Sequence, residues 1–215
     1  MIDVVIPAYI IKDEILAFTK ATVSSLGTVN LIIIDNASPI GEDYLRSVAD
    51  IYVRNKENLG FAKAVNQGLK LRKSEYIAVV NNDTVVSPFW QEVALGVFQD
   101  SSVYSCHFRM IPYHEEFRYG NDTWVTGKER WCTSSFFVIH SKDPLLFDEN
   151  FMNSYEDWDY WFRVRDWGYK TAYTSEINFS QPDDVKYNNA GSYNPIKEGE
   201  FGVSTLDSEL FTLLE

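Results

Sequence analysis

The stretch YIAVVNNDTVV, Tyr76 to Val86, decides how the rest of the chain is read. Five mostly apolar residues suited to a buried strand run straight into Asn81, Asn82 and Asp83, and the chain turns apolar again at Val85 and Val86. One reading is a turn, because Asn and Asp side chains bond nearby backbone and tolerate unusual dihedrals. The other is a ligand site, because open α/β sheets bind ligands beyond the carboxyl ends of their parallel strands. The choice depends on what the neighbouring strands carry at their own ends.

Upstream, IDVVIPAY is a short β-branched run, and KDEILAFTKATVSSLG follows with Ile15, Phe18, Thr19 and Val23 at helical spacing and Gly27 as a stop. NLIIIDNASP is a second buried-type strand, GEDYLRSVA a short helix, DIYVRN a third strand and GFAKAVNQGLKLRK another helix leading into EYIAVV. This alternation of continuously apolar strands with helices predicts a parallel sheet covered on both faces. SPFWQEVALGVF predicts a further helix, capped by Ser87 with Pro88 in its first turn. From Val103 to His140 the chain is aromatic and strand-like. SYEDWDYWFRVRDWG is strongly helical, and from about Gln181 an Asn/Gly/Pro-rich tail ends in the amphipathic LDSELFTLL. The expected architecture is α/β: a mostly parallel, Rossmann-like central sheet flanked by helices. We read one domain over residues 1–215, with a nucleotide-binding half at 1–100, a mixed half at 101–180, and a loop or lid with the tail at 181–215.

Composition narrows the partners. The formal net charge of −12 disfavours nonspecific nucleic-acid binding and docking on anionic lipid. It leaves room for a small anionic ligand if a metal or local cations supply positive charge. Cys106 and Cys132 form no C-x-x-C pair, so neither a disulfide framework nor a zinc site is expected. The start, MIDVVIPAYIIKDE, lacks the basic region of a signal peptide, and no apolar run reaches the roughly 20 residues that span a bilayer. A soluble, cytoplasmic setting is the expectation. No G-x-G-x-x-G follows the first strand, and Gly127-Lys128 precedes Glu129 rather than Ser or Thr, so no Walker motif is present. A divalent ion on a carboxylate is the simplest remaining way to hold phosphates.

Polar residues gather at four predicted strand ends: Pro7-Ala8-Tyr9, Asp35-Asn36, Asn58 with Gly60, and Asn81-Asn82-Asp83. Each alone is a turn; on one sheet edge they form a ligand site. Taken in order, VVIPAY, LIIIDNASP, NKENLGFAKAVNQGL, VVNNDT and YEDWDYWFRVRDWGYK resemble the successive motifs of the family-2 glycosyltransferases, which have the GT-A fold, with the flavour of the rhamnosyltransferase-like members. The resemblance covers roughly Ile2 to Thr174. It implies that Pro7, Ala8 and Tyr9 border the nucleobase and that Asp35, beside Asn36, bonds base or ribose. Asn58 and Gly60 would pass close to the nucleotide, with Lys63 and Asn66 nearby. NND would be a variant of the Asp-x-Asp metal motif in which Asp83 alone keeps the carboxylate, and Asn81 and Asn82 would bond the donor. The implied cofactor is Mn²⁺ or Mg²⁺ and the donor a UDP- or dTDP-sugar. The family's His after the next strand is missing. INFSQPDD stands there, so Gln181, Asp183 or Asp184 is the candidate replacement, while His107, His114 and His140 lie earlier.

In NSYEDWDYW, Ser154 and Asp157 have capping-box spacing, so Asp157 is read either as a helix cap or, as the resemblance implies, as the base that deprotonates the acceptor hydroxyl. Asp159 and Arg163 are expected to orient that helix. Glu156, Trp131 and Trp158 are the acceptor-side candidates, although large rings more often fill cores. Asp35, as a strand-end hydrogen-bonding group, is expected to be replaceable without harm to the fold. The activity implied is inverting, metal-dependent transfer of a sugar from a nucleotide-diphospho-sugar to a hydroxyl of a glycan, lipid-linked glycan or glycoprotein. A non-catalytic nucleotide-sugar or carbohydrate-binding protein on the same fold is the alternative. A nucleotidyltransferase is disfavoured, since no Gly-rich triphosphate loop carrying Lys or Arg follows the first strand.

Overall fold

The computed structural model describes residues 1–111, 124–126, 134–140, 142–151 and 155–181. Trp131, Cys132, His114, Ser154, Asp183, Asp184 and the amphipathic tail segment lie outside them. The first half builds β1 (Asp3–Ala8), α1 (Asp13–Ser25), β2 (Asn30–Asp35), α2 (Glu42–Val48), β3 (Ile51–Arg54), α3 (Phe61–Leu71) and β4 (Tyr76–Val80). The second half adds β5 (Val85–Val86), α4 (Trp90–Val97), β6 (Val103–Ile111), β7 (Trp124–Thr126), β8 (Phe136–His140), α5 (Glu156–Asp166) and β9 (Lys170–Ser180). All nine strands join one sheet in the order β3-β2-β1-β4-β8-β6-β9-β5, with β7 against β9.

The strands β3, β2, β1 and β4 are parallel to their neighbours. Beyond β4 the sheet is mixed: β8 is antiparallel to both β4 and β6, while β6 and β9 run parallel. The order 3-2-1-4 means that the chain first leaves β1 toward β2 and β3 and then crosses back to place β4 on β1's other edge. That reversal opens a crevice at the carboxyl ends of β1 and β4, the position where such sheets take ligands.

Alternate residues of the apolar strands feed two cores. Val4, Ile6, Ile33, Ala78 and Val80 pack with Ile15, Trp90 and Ala94 on the α1/α4 face. Val5, Ile32, Ile34, Ile77 and Val79 pack with Ala64, Val65, Leu69, Tyr160 and Val164 on the α3/α5 face. Burial on both sides is why these strands read as unbroken apolar runs rather than as alternating ones.

Two helices differ from expectation. In α1 the expected Ile15 and Thr19 are buried and Val23 packs against the core, but Thr22 is buried as well and Phe18 belongs to neither core. The threonines can turn inward because their hydroxyls find partners: Thr19 donates to the Ile15 carbonyl at 2.8 Å and Thr22 to the Asn82 carbonyl at 3.2 Å. The helix expected to start at Ser87-Pro88 starts at Trp90, because Phe89 takes a left-handed conformation (φ 66°) as its N-cap. Trp90, 2% exposed, donates its ring N–H to the Leu26 carbonyl at 3.1 Å and fixes that start.

Gly68 sets how closely α3 approaches the sheet. A Cβ there would lie 2.2 Å from Val5 Cγ1, which no real packing allows. Overpacking of this kind costs roughly 1–3 kcal/mol, and each kcal/mol is worth about 2–4 °C in a domain of this size. Gly68→Ala should therefore lower Tm by several degrees. Adding Val5→Ala should return part of the loss, so that the double variant is more stable than the sum of the two singles predicts. Additive losses would place the helix farther from β1 than described here.

Candidate active site

The strand-end residues do come to one edge. Ala8 pairs with Asp35 in the β1–β2 register, and Val5 pairs with Val79 between β1 and β4, so both chains leave the sheet on the same side. Asn36 N–H bonds the Ala8 carbonyl at 2.8 Å. Tyr9, Asn58, Lys63, Asn81 and Asp83 are partly exposed along this edge, and Pro7, Ala8 and Gly60 are buried in it.

Several of the polar side chains are already engaged from within. Asp35 is fully buried. Its Oδ1 accepts the Ser38 N–H at 2.8 Å, an Asx-type turn, and its Oδ2 accepts the Tyr52 hydroxyl at 2.7 Å and the Arg54 guanidinium. Burial, followed by the bond to Asp35, pushes the Tyr52 phenol up to about 12. Asn36 donates to the Gly60 carbonyl at 3.1 Å and accepts from Asn55 at 2.8 Å, and Asn55 and Gln67 exchange two amide bonds at 2.9 Å each. The loop holding Asn58 and Gly60 is thus tied to the end of β2. Gly60 has φ 81° and receives the Asn58 side-chain oxygen on its N–H at 3.0 Å.

Asn66 is turned away from a donor role. Its amide accepts the Phe147 N–H at 2.8 Å and donates to the Phe147 carbonyl at 2.9 Å and to Glu149 at 3.0 Å. Phe147 stacks on Tyr160 of α5 at 4.1 Å, so Asn66 clamps the segment on which α5 rests. Asn82 likewise faces α1, donating to Thr19 Oγ1 at 3.1 Å. Asp83 meets a residue 98 positions away: Gln181 Nε2 donates to its Oδ1 at 2.8 Å and to Thr84 Oγ1 at 3.0 Å. Gln181, one of the three candidate replacements for the missing His, thus lies against Asp83; Asp183 and Asp184 are outside the described residues.

Among the described residues no three His, Cys, Asp or Glu side chains converge as a metal cage. A single carboxylate, a hard-oxygen group, fits a divalent ion that takes most of its ligands from a diphosphate and water, the usual habit of Mg²⁺. Asp83 is the residue that would hold it.

The first turn of α5 carries the second acidic group. Its N-cap is Tyr155 in a left-handed conformation (φ 65°), with no side-chain cap bond; Ser154 of the expected capping box lies outside the described residues. Asp157 Oδ1 accepts the Trp158 N–H at 2.9 Å. Burial raises the Asp157 pKa, and bonds from first-turn N–H groups oppose the rise. Burial, then repulsion from Asp157, raises Glu156 to about 7, and its Oε2 receives no hydrogen bond among the described residues. Asp159 and Arg163 form the expected pair at 2.7–2.8 Å, and Arg163 also donates to the Leu146 carbonyl at 2.9 Å, which fixes the helix on its neighbour. Trp158 is partly buried near Phe162, with ring centroids 6.0 Å apart.

These features define a mostly parallel α/β sheet with a carboxylate at its switch point. The sequence profile of glycosyl transferase family 2 matches residues 3–162, and the chain belongs to that family. Among solved structures, a crystal structure of GalNAc-T7 with UDP, GalNAc and Mn²⁺ superposes with a TM-score of 0.66 at 12% identity, covering 84% of this chain and 43% of that one. Residues 1–349 of S. aureus TarS give 0.64 at 12% identity, covering 84% of this chain and 60% of that one. The mannosyltransferase PcManGT from Pyrobaculum calidifontis, in complex with GDP-Man and Mn²⁺, gives 0.64 at 14% identity, covering 84% and 56%. Identities this low establish the GT-A-type fold, and the chain spans about two fifths to three fifths of those structures' lengths. No curated protein gives a significant match. No helix among the described residues is long and apolar enough to cross a membrane.

Two outcomes follow from this geometry. Removing a buried carboxylate strands its donors, at about 1–3 kcal/mol each. Asp35→Ala should therefore lower Tm markedly in the absence of any ligand, contrary to the expectation that it is harmless to the fold; parent-like melting would mean that its three partners contribute nothing. For Glu156 the sign runs the other way. Its folded pKa of about 7 lies above the unfolded value, so the proton it retains favours folding at low pH, and that contribution is lost as pH rises toward 7. Glu156→Gln should stabilise the protein relative to the parent more at pH 8 than at pH 5, as read by thermal melting at both.

Proposed function

We propose that this chain is an inverting, cation-dependent glycosyltransferase that moves a hexosyl or rhamnosyl unit from a UDP- or dTDP-sugar to a hydroxyl of a glycan-type acceptor. The observation that carries the reading is Asp83 at the carboxyl end of β4, beside β1, where the strand order reverses, in a chain of this family. The Mn²⁺ and nucleotide ligands of GalNAc-T7 and PcManGT support the donor class.

In this reading Pro7, Ala8 and Tyr9 border the base, and the β2 end supports the ribose side through the loop that Asp35 and Asn36 hold in place. Asn58, Gly60 and Lys63 line the nucleotide, and Asn81 bonds the donor. A bound divalent ion supplies Lewis-acid neutralisation of charge on the leaving diphosphate. Asp157 takes the proton from the acceptor hydroxyl. Burial makes its carboxylate a stronger base than one in water, and the Trp158 N–H holds it in one orientation. A single base acting on the acceptor corresponds to direct displacement with inversion. Glu156, Trp158 and Trp131 belong to the acceptor side.

One experiment separates this from a nucleotide-sugar-binding protein without turnover. Asp83→Asn should lose the Mn²⁺-dependent part of UDP affinity in calorimetry. Asp157→Asn should bind UDP as the parent does yet transfer sugar slower by about 10²–10⁴, the usual worth of a general base. Binding without turnover in the parent, or near-parent transfer by Asp157→Asn, overturns the catalytic reading.

A further inference from the structure

The β5–β9 pairing runs antiparallel with Val85 opposite Ser180, so the next pair outward sets Thr84 against Gln181. The sheet itself therefore delivers Gln181 to the turn that carries Asp83. Both hydrogens of its amide are used, one on Asp83 Oδ1 and one on Thr84 Oγ1. With two acceptors the amide cannot rotate without losing a bond, and its carbonyl oxygen is left on the opposite side.

The rest of the turn is held independently. Asn81 N–H bonds the Ser135 carbonyl at 2.9 Å, Thr84 N–H bonds the Asn81 carbonyl at 3.2 Å, and Asn82 is tied to Thr19 and Thr22 of α1. The backbone of Asn81–Thr84 thus needs no help from Gln181. What Gln181 adds is an orientation for the Asp83 side chain.

We propose that Gln181 is a positioning residue for the cation site, fixing the Asp83 carboxylate in its ligating orientation while leaving its charge undiminished. The inference rests on the glycosyltransferase reading for the identity of the ligand, though not for the geometry. The choice of an amide has a physical reason. Lys or Arg at this place would discharge Asp83 and compete with a divalent ion, and Glu or Asp would repel it. An amide N–H orients a carboxylate and remains neutral. Groups of this kind beside a metal ligand alter affinity by roughly 10–100-fold when removed.

The test uses the full chain and two variants. In calorimetry of UDP with and without Mn²⁺, Gln181→Ala should lose roughly 10–100-fold of the Mn²⁺-dependent gain in affinity, while metal-free UDP affinity stays at the parent's value. A residue that merely pinned the end of β9 would shift both affinities or neither. An undiminished Mn²⁺ gain in Gln181→Ala overturns the proposal. The second arm needs no nucleotide: Gln181→Glu puts a second carboxylate where the amide now lies 2.8 Å from Asp83. It should melt below the parent without metal and show a larger Mn²⁺-induced rise in Tm than the parent. If the parent binds no UDP under either condition, the donor reading fails and this arm alone decides the positioning role. A parent-like melting response to Mn²⁺ in Gln181→Glu then overturns it.

Discussion

A strand covered on both faces and paired on both edges has one place left for polar chemistry, its end. All six residues of β1 are buried, β2 and β4 occupy its two edges, and α1 and α3 belong to the two cores that cover it. Any ligand with charge must therefore meet the sheet where β1, β2 and β4 stop. The crossing of the chain from β3 to the far side of β1 separates the loops there and makes that end a crevice. The close seat of α3, permitted by Gly68 against Val5, and the mixed strands added beyond β4 both build outward from this central pair.

The polar residues at the crevice divide their labour. Buried polar groups need partners, and Asp35, Asn36 and Asn66 find theirs inside the protein, as does the partly exposed Asn82. They act as joints: Asp35 binds the ends of β2 and β3, Asn36 holds the loop before α3, Asn82 fastens α1 to the β4–β5 turn, and Asn66 seats the segment under α5. Turn and ligand readings of such residues are thus not rivals. The joints hold loops on which Tyr9, Asn58, Asn81 and Asp83 keep partial exposure.

At the start of α5 two adjacent carboxyl groups sit where burial raises both and the first-turn N–H groups lower both. Glu156 is pushed to about 7, with Asp157 contributing by repulsion. Two adjacent carboxyl groups in differing environments are the arrangement by which neighbouring carboxyls take different roles.

The sequence by itself determined the alternation of elements, the two-faced burial of the first strands and the identity of the polar groups at their ends. These follow from local periodicity and from turn chemistry, which act over a few residues. It also offered Asp83 and Asp157 as candidates, and Gln181 as one of three replacements for the missing His. Only the tertiary structure decided which of the polar groups are joints. Arg54 reaches Asp35 because β2 and β3 align those two residues, and no spacing along the chain encodes that register. Phe147 lies 81 residues from Asn66, and Gln181 lies 98 from Asp83. The helix starts at Trp90 and Glu156 also escaped a local reading, since Phe89 and Tyr155 adopt left-handed conformations that side chains of their kind rarely take. Hydrogen-bond partners across a sheet are chosen by strand order and register, and these are settled by burying two cores at once rather than by any short stretch of chain.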